Sequence, residues 1–214
     1  QKWRLLPTTL DLGDDPFAVG ASGGSGFVMD ISGSSKNSGA NVQLAASNDS
    51  ASQRFRLLAQ DGQYYIIRNV NSGRNLNVSD NGTANGTNVL QYNDSSTAAT
   101  DNELWSAIPH ADGTYSFVGK CNGLYIDRAN GGAPSNGQAV QCYTGNGTTA
   151  QNWTLIPCKT VSDGVYQLGA NGDAGFVMDV VGHGTNEGAK VQLLKNAKAD
   201  GQRFGIEYRG DGNY

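Results

Sequence analysis

Three residues beyond the middle of the chain carry complementary chemistry. Asp127 ends Tyr125-Ile126-Asp127, Gln141 sits in Val140-Gln141-Cys142, and Tyr143 follows two residues on. A carboxylate accepts hydrogen bonds from two neighbouring hydroxyls, and charged acceptors make the stronger bonds. A carboxamide donates and accepts at once. An aromatic ring covers an apolar C–H face and orients it. Strand alternation puts Gln141 and Tyr143 on one face, with Val140 and Cys142 on the other. Partial copies recur as Asp30 with Gln43, Asp179 with Gln192, and Tyr92 with Asn102. At the aromatic position the first of these has Ala45 and the second Leu194. Beside Tyr92 the carboxylate has become Asn77 and the amide Leu90.

The copies recur because the chain repeats itself. Asp-Gly-x-Tyr occurs at 61–64, 112–115, 163–166 and 211–214. A Gln-x-Trp or Gln-x-Phe marker ends at Trp3, Phe55, Trp153 and Phe204, with Glu103-Leu104-Trp105 a degenerate copy. These aromatics lie 52, 50, 48 and 51 residues apart. Gly-Phe-Val-Met-Asp at 26–30 returns at 175–179, and Gly-Ala-Asn-Val-Gln-Leu at 39–44 returns as Gly-Ala-Lys-Val-Gln-Leu at 188–193. A period near 50 residues sets the architecture before any local reading does.

The elements that must position these groups are strands. Each repeat holds four short alternating or apolar runs, which in the second fall at 64–68, 75–78, 88–92 and 103–108. Gly and Asn together make up 51 of the 214 residues. Asn-Gly and Asp-Gly pairs tolerate the positive φ of hairpin turns, and Ser22–Gly26 reads as one such turn. No stretch shows the 3.6-residue period of an amphipathic helix, so the chain is all-β.

Several function classes fall away. With 16% charged residues and a net charge of −4, the chain lacks the concentrated Lys and Arg that displace counterions from nucleic acid. No run of about 18 apolar residues exists to span a membrane. Residues 1–20 lack a signal-peptide pattern, so any such segment is expected to be removed or to lie upstream. His110 and His183 have no metal-ligand spacing and read as solvated, and no nucleophile elbow, phosphate loop or dinucleotide fingerprint occurs. No cofactor or metal ion is expected. Carboxylates such as Asp14 and Asp15 can in principle form an acid/base pair for glycoside cleavage, but acidic residues at repeat-equivalent positions suit a scaffold or a binding role better.

Taken together, the period, the four runs per repeat, the terminal Gln-x-Trp and the Asp after the second run resemble the ricin-type (R-type) β-trefoil lectins and carbohydrate-binding modules. That resemblance implies a β-trefoil: three repeats close a six-stranded barrel capped by three hairpins. Linkers between one marker and the next opening aromatic are 14, 9, 10, 13 and 10 residues long, and the two long ones lie three repeats apart. This phase places a complete trefoil at 8–160 (repeats 8–58, 59–108 and 109–160). Residues 1–7 are then the last strand of a preceding repeat, and 161–214 open a further, truncated trefoil that pairs with missing chain or another molecule.

The resemblance also implies a shallow sugar pocket on each repeat, formed by the third strand and its loops. Asp127, Gln141 and Tyr143 make the most complete set. Where many relatives have Asn before the marker Gln, this repeat has Ala150, and Asn146 is the expected substitute. Asp30 with Gln43 and Asp179 with Gln192 rank next, and Tyr92 with Asn102 last. The blander reading is that Asp30 and Asp179 satisfy backbone donors of their hairpins, and that Tyr92 and Tyr143 are ordinary surface aromatics. The marker tryptophans Trp3, Trp105 and Trp153 are expected in the core. Cys121 and Cys142 bracket a hairpin much as intra-repeat bridges of the family do, and their pairing stays open. The expected function is non-catalytic glycan binding, with galactose-, xylose- or related sugars as partners, by a module of a larger secreted or cell-surface protein. A structural or protein-interaction trefoil with degenerate sugar sites is the rival.

Overall fold

Strands form where every second side chain can be buried, and turns form where Gly, Asn and Asp interrupt that pattern. The computed structural model describes residues 15–24, 26–60, 63–93, 98–158, 164–170 and 173–207. The strand expected in 1–7, with Trp3, and the closing Asp211–Tyr214 lie outside the described residues. The chain divides into two compact units, 1–158 and 159–214.

In unit 1 the first repeat gives β1 (Phe17–Ala21), β2 (Phe27–Ile31), β3 (Val42–Ala46) and β4 (Phe55–Ala59). The second gives β5 (Tyr64–Asn69), β6 (Leu76–Val78), β7 (Thr87–Gln91) and β8 (Leu104–Pro109). The third gives β9 (Tyr115–Gly119), β10 (Tyr125–Arg128), β11 (Val140–Tyr143) and β12 (Trp153–Pro157). β1 pairs with β4 and β12, β4 with β5, β5 with β8, β8 with β9, and β9 with β12, all antiparallel. Six strands therefore close a ring, which leaves no open barrel edge. The expected all-β trefoil is borne out. Among the described residues the only helical pieces are three-residue 3-10 turns.

The hairpins β2–β3, β6–β7 and β10–β11 cap the barrel. They bring Asp30 opposite Gln43, Asn77 opposite Leu90, and Asp127 opposite Gln141. Neighbouring hairpins meet at Asn41↔Leu90, Gln43↔Ala139 and Gln141↔Asn88. The core beneath them contains Phe17, Phe55, Ile67, Phe117, Trp105 and Trp153.

The repeated marker ties barrel to cap. Trp105 Nε1 donates to the Leu76 carbonyl at 3.2 Å and Trp153 Nε1 to the Ile126 carbonyl at 3.1 Å, which satisfies the one polar group of a buried indole. The marker glutamine closes the preceding loop. Gln151 Oε1 accepts from the Asn146 N–H at 3.0 Å while its Nε2 donates to the Thr144 carbonyl at 2.9 Å. Gln53 and Gln202 do the same in their repeats. Glu103, which cannot donate, accepts from the Asn93 and Thr100 amides instead. All three cysteines are free thiols.

Unit 2 pairs β13 (Gly164–Tyr166) with β17 (Phe204–Ile206), and joins β14 (Gly169–Ala170), β15 (Asp173–Val180) and β16 (Val191–Lys195) in a second sheet. Its hairpin register repeats that of the first repeat, with Asp179 opposite Gln192. Burial differs sharply. Val191 and Leu193 are 54% and 59% exposed, whereas their repeat equivalents Val42 and Leu44 are 1% and 0% exposed.

Candidate functional site

The best-formed site lies on the β10–β11 hairpin. Alternation along β11 buries Val140 and Cys142 and turns Gln141 and Tyr143 outward. Gln141 Nε2 donates to Asp127 Oδ1 at 3.0 Å. Asp127 is 4% exposed, and Oδ2 receives no hydrogen bond among the described residues. That leaves a charged acceptor, held in place by one amide, with capacity for donors from outside the protein. Tyr143 stands beside it, 36% exposed.

These side chains open onto a cleft of about 420 Å³. The expected Asp127, Gln141, Tyr143 and Asn146 are joined there by Asn130, Gly131, Thr148 and Ala150. Asn146 Oδ1 is occupied, accepting from Thr148 N at 3.1 Å and Thr148 Oγ1 at 2.7 Å. Its Nδ2 is the group it offers the cleft. Ala150 is buried and leaves open the space that a larger polar residue takes elsewhere.

That space is filled in the other repeats of unit 1. Ser52 donates to Asp30 Oδ1 at 2.7 Å and lies 3.1 Å from Ser34 Oγ and 3.0 Å from Ser50 Oγ. Asp30 therefore has a serine partner, and among the described residues the Gln43 side chain makes no hydrogen bond to it. In the second repeat Asn102 Nδ2 donates to Asn77 Oδ1 at 3.4 Å and to the Val78 carbonyl at 3.3 Å. Tyr92 is 50% exposed, but no carboxylate accompanies it. In the fourth repeat Gln192 Nε2 donates to Asp179 Oδ1 at 3.1 Å, next to Leu194 where a ring would stand.

Neither histidine is merely solvated. His110 Nε2 is 2.9 Å from Ser116 Oγ, and His183 Nδ1 accepts from the Gly201 N–H at 3.0 Å. Gly201 has no side chain, and the histidine fills the space next to it. Among the described residues no group of His, Cys, Asp and Glu is placed to hold a metal ion, and no helix is long and apolar enough to cross a membrane.

Asn130, Gly131 and Thr148 were not reached from sequence. One available signal was spacing: Asp127 to Gln141 is 14 residues, against 13 for Asp30 to Gln43 and for Asp179 to Gln192. The extra residue lies in the loop that carries Asn130 and Gly131.

A closed six-stranded barrel with a polar cleft on one capping hairpin defines a β-trefoil binding domain. A family model described as "Ricin-type beta-trefoil lectin domain-like" matches residues 1–92, and the chain belongs to that family. Among solved structures it is similar to the designed three-fold symmetric protein ThreeFoil, at 30% identity and a TM-score of 0.61, over 65% of this chain and 96% of that one. It is also similar to 1,3Gal43A, an exo-β-1,3-galactanase from Clostridium thermocellum, at 27% identity and a TM-score of 0.63. That match covers 68% of this chain and 31% of the enzyme. The Rhizoctonia solani agglutinin shares the fold at 22% identity and a TM-score of 0.58, over 69% of this chain and 98% of that one. A search of curated proteins finds no match. Family and fold together support carbohydrate binding in general terms.

Proposed function

We propose that unit 1 is a non-catalytic glycan-binding module whose principal site is the third-repeat cleft. The observation that carries this reading is the Asp127–Gln141 pair, held at 3.0 Å beside exposed Tyr143. Two adjacent sugar hydroxyls donate to Asp127, Asn146 Nδ2 donates to a ring or hydroxyl oxygen, and Tyr143 covers the C–H face. Galactose- and xylose-type sugars carry the hydroxyl pairs that this geometry requires. Such a shallow contact is weak alone, and presentation on a larger secreted or surface protein, beside other binding units, raises its apparent affinity. The similar region of a galactanase fits a targeting role. A glycan array probed with the whole chain, followed by calorimetry on the best ligand, tests the proposal: retention of a glycan at one site per chain is expected, and no retention on any glycan refutes it.

A second reading applies to the first and second repeats. Ser52 on Asp30, and Asn102 on Asn77, favour hairpin caps that serve structure alone.

A further inference from the structure

One residue inside the third hairpin departs from its equivalents. The residue after the hairpin Asp or Asn is Ile31 in the first repeat, Val78 in the second and Val180 in the fourth, but Arg128 in the third. Ile31 and Val78 are fully buried, and Arg128 is buried to 1% exposure in the same place. An arginine in an apolar position is costly unless its donors are used. Nη1 donates to the Gly132 carbonyl at 2.8 Å and Nη2 to the Ser22 carbonyl at 3.0 Å. Nε is left without a partner, so the position is not optimised for stability.

The same repeat carries the one-residue longer loop. In the other three repeats a 3-10 turn follows the strand, at Ser32–Ser34, Ser79–Asn81 and Val181–His183. In the third, Asn130 and Gly131 are left-handed at φ 65° and 59°, as are the equivalent pairs Gly33–Ser34, Asp80–Asn81 and Gly182–His183, but no 3-10 turn is closed there, and the chain runs on through the extra residue past Gly132, whose carbonyl meets the guanidinium. Buried Pro134 seats the far side of the loop so closely on Gly24 that a Cβ there would lie 2.8 Å from the ring. Arginine and insertion thus fix a lip that rests on the Ser22–Gly24 turn. Asn130, on that lip, lines the cleft, and no hydrogen bond occupies its side chain among the described residues.

We infer that Asn130 is a further ligand-contacting residue of the cleft, and that buried Arg128 is the positioning residue that holds it there. The inference rests on the glycan-binding reading above. A ligand reaching past Asp127 meets the Asn130 amide, which donates and accepts as hydroxyls do. Arg128 acts only through the lip.

A double-mutant cycle on the whole chain tests this, using the glycan selected by the array. Asn130→Ala is expected to weaken binding about tenfold with an unchanged melting temperature. Arg128→Ile, the residue of the first repeat, is expected to fold, to weaken binding equally, and to speed amide exchange selectively at 130–132. In the Asn130→Ala background Arg128→Ile should cost nothing further, because both act through one contact. Additive losses, or unchanged affinity in either single variant, overturn the inference. If Arg128→Ile fails to fold, Arg128→Met fills the volume and is read the same way. Wild-type protein that binds no glycan sinks the binding reading and Asn130's role with it, while the exchange data still report whether Arg128 holds the lip.

Discussion

Asp127 and Gln141 face each other across the β10–β11 ladder and are joined at 3.0 Å through one carboxylate oxygen only. The other oxygen is held in a fixed direction without being consumed. In the first repeat the same ladder position pairs Asp30 with Gln43, yet the carboxylate turns to Ser52 at 2.7 Å. Each carboxylate thus spends one oxygen, Asp127 on the amide across the ladder and Asp30 on a serine hydroxyl.

Removing the charge should therefore weaken binding without loosening the fold. Asp127→Asn retains size and an acceptor but loses the charge-assisted bonds, each worth about 1.5–3 kcal/mol. We expect at least tenfold weaker binding by calorimetry, and a comparable loss for Tyr143→Ala. Undiminished affinity in both variants would exclude the third repeat as the site.

The first repeat should be repairable. Ser52→Ala removes the donor that occupies Asp30 Oδ1 and copies Ala150, while Ala45→Tyr supplies the missing ring. The double variant should bind two ligands per chain in place of one, at a stability cost of about 1 kcal/mol for the lost hydrogen bond. A titration that still ends at one equivalent would show that more than these two groups separates the repeats.

Alkaline pH should destabilise unit 1 through Cys142. Burial is the largest cause raising this thiol from 9.0 to about 12, and a hydrogen bond with Asn122 opposes it. The unfolded chain loses the proton first, so the stabilising contribution is complete below pH 9 and is lost as pH rises toward 12. The slope is at most about 1.4 kcal/mol per pH unit. Urea midpoints across this range should fall less steeply in Cys142→Ala, and parallel curves would remove Cys142 as the cause. At pH 8 the native thiol should resist alkylation and react only on unfolding.

Unit 2 should be adhesive. Val191 and Leu193 are more than half exposed, where their equivalents Val42 and Leu44 are buried by neighbouring repeats, and contiguous exposed apolar side chains on a strand invite pairing. Sedimentation velocity should show self-association rising with concentration, and Leu193→Asp should abolish it. A concentration-independent wild-type monomer would refute this.

Much of the architecture was legible because its signals are local and repeated. The period-2 pattern specifies which side of β11 carries Gln141 and Tyr143, and in the second repeat the runs read at 64–68, 75–78, 88–92 and 103–108 lie within one residue of the observed strands. A marker recurring every 50 residues or so, with burial of Trp105 and Trp153, follows from a barrel that must fill its centre symmetrically. Some of the site was equally open to reading, since Asp127 and Gln141 are direct cross-strand partners.

The rest depended on choices among near-equal partners. Ser52, 22 residues from Asp30, takes its carboxylate because a 3-10 turn brings the hydroxyl to 2.7 Å. Asn146 spends its oxygen on Thr148. Arg128 reaches Ser22, 106 residues away, only once the first and third repeats pack. Sequence by itself determined the all-β repeat and the outward face of the third hairpin, because alternation and turn chemistry act over a few residues. Which group each carboxylate takes as its partner, and which loop forms the cleft's lip, only the tertiary structure decided. Those outcomes turn on contacts between groups that the fold, and not the chain order, makes neighbours.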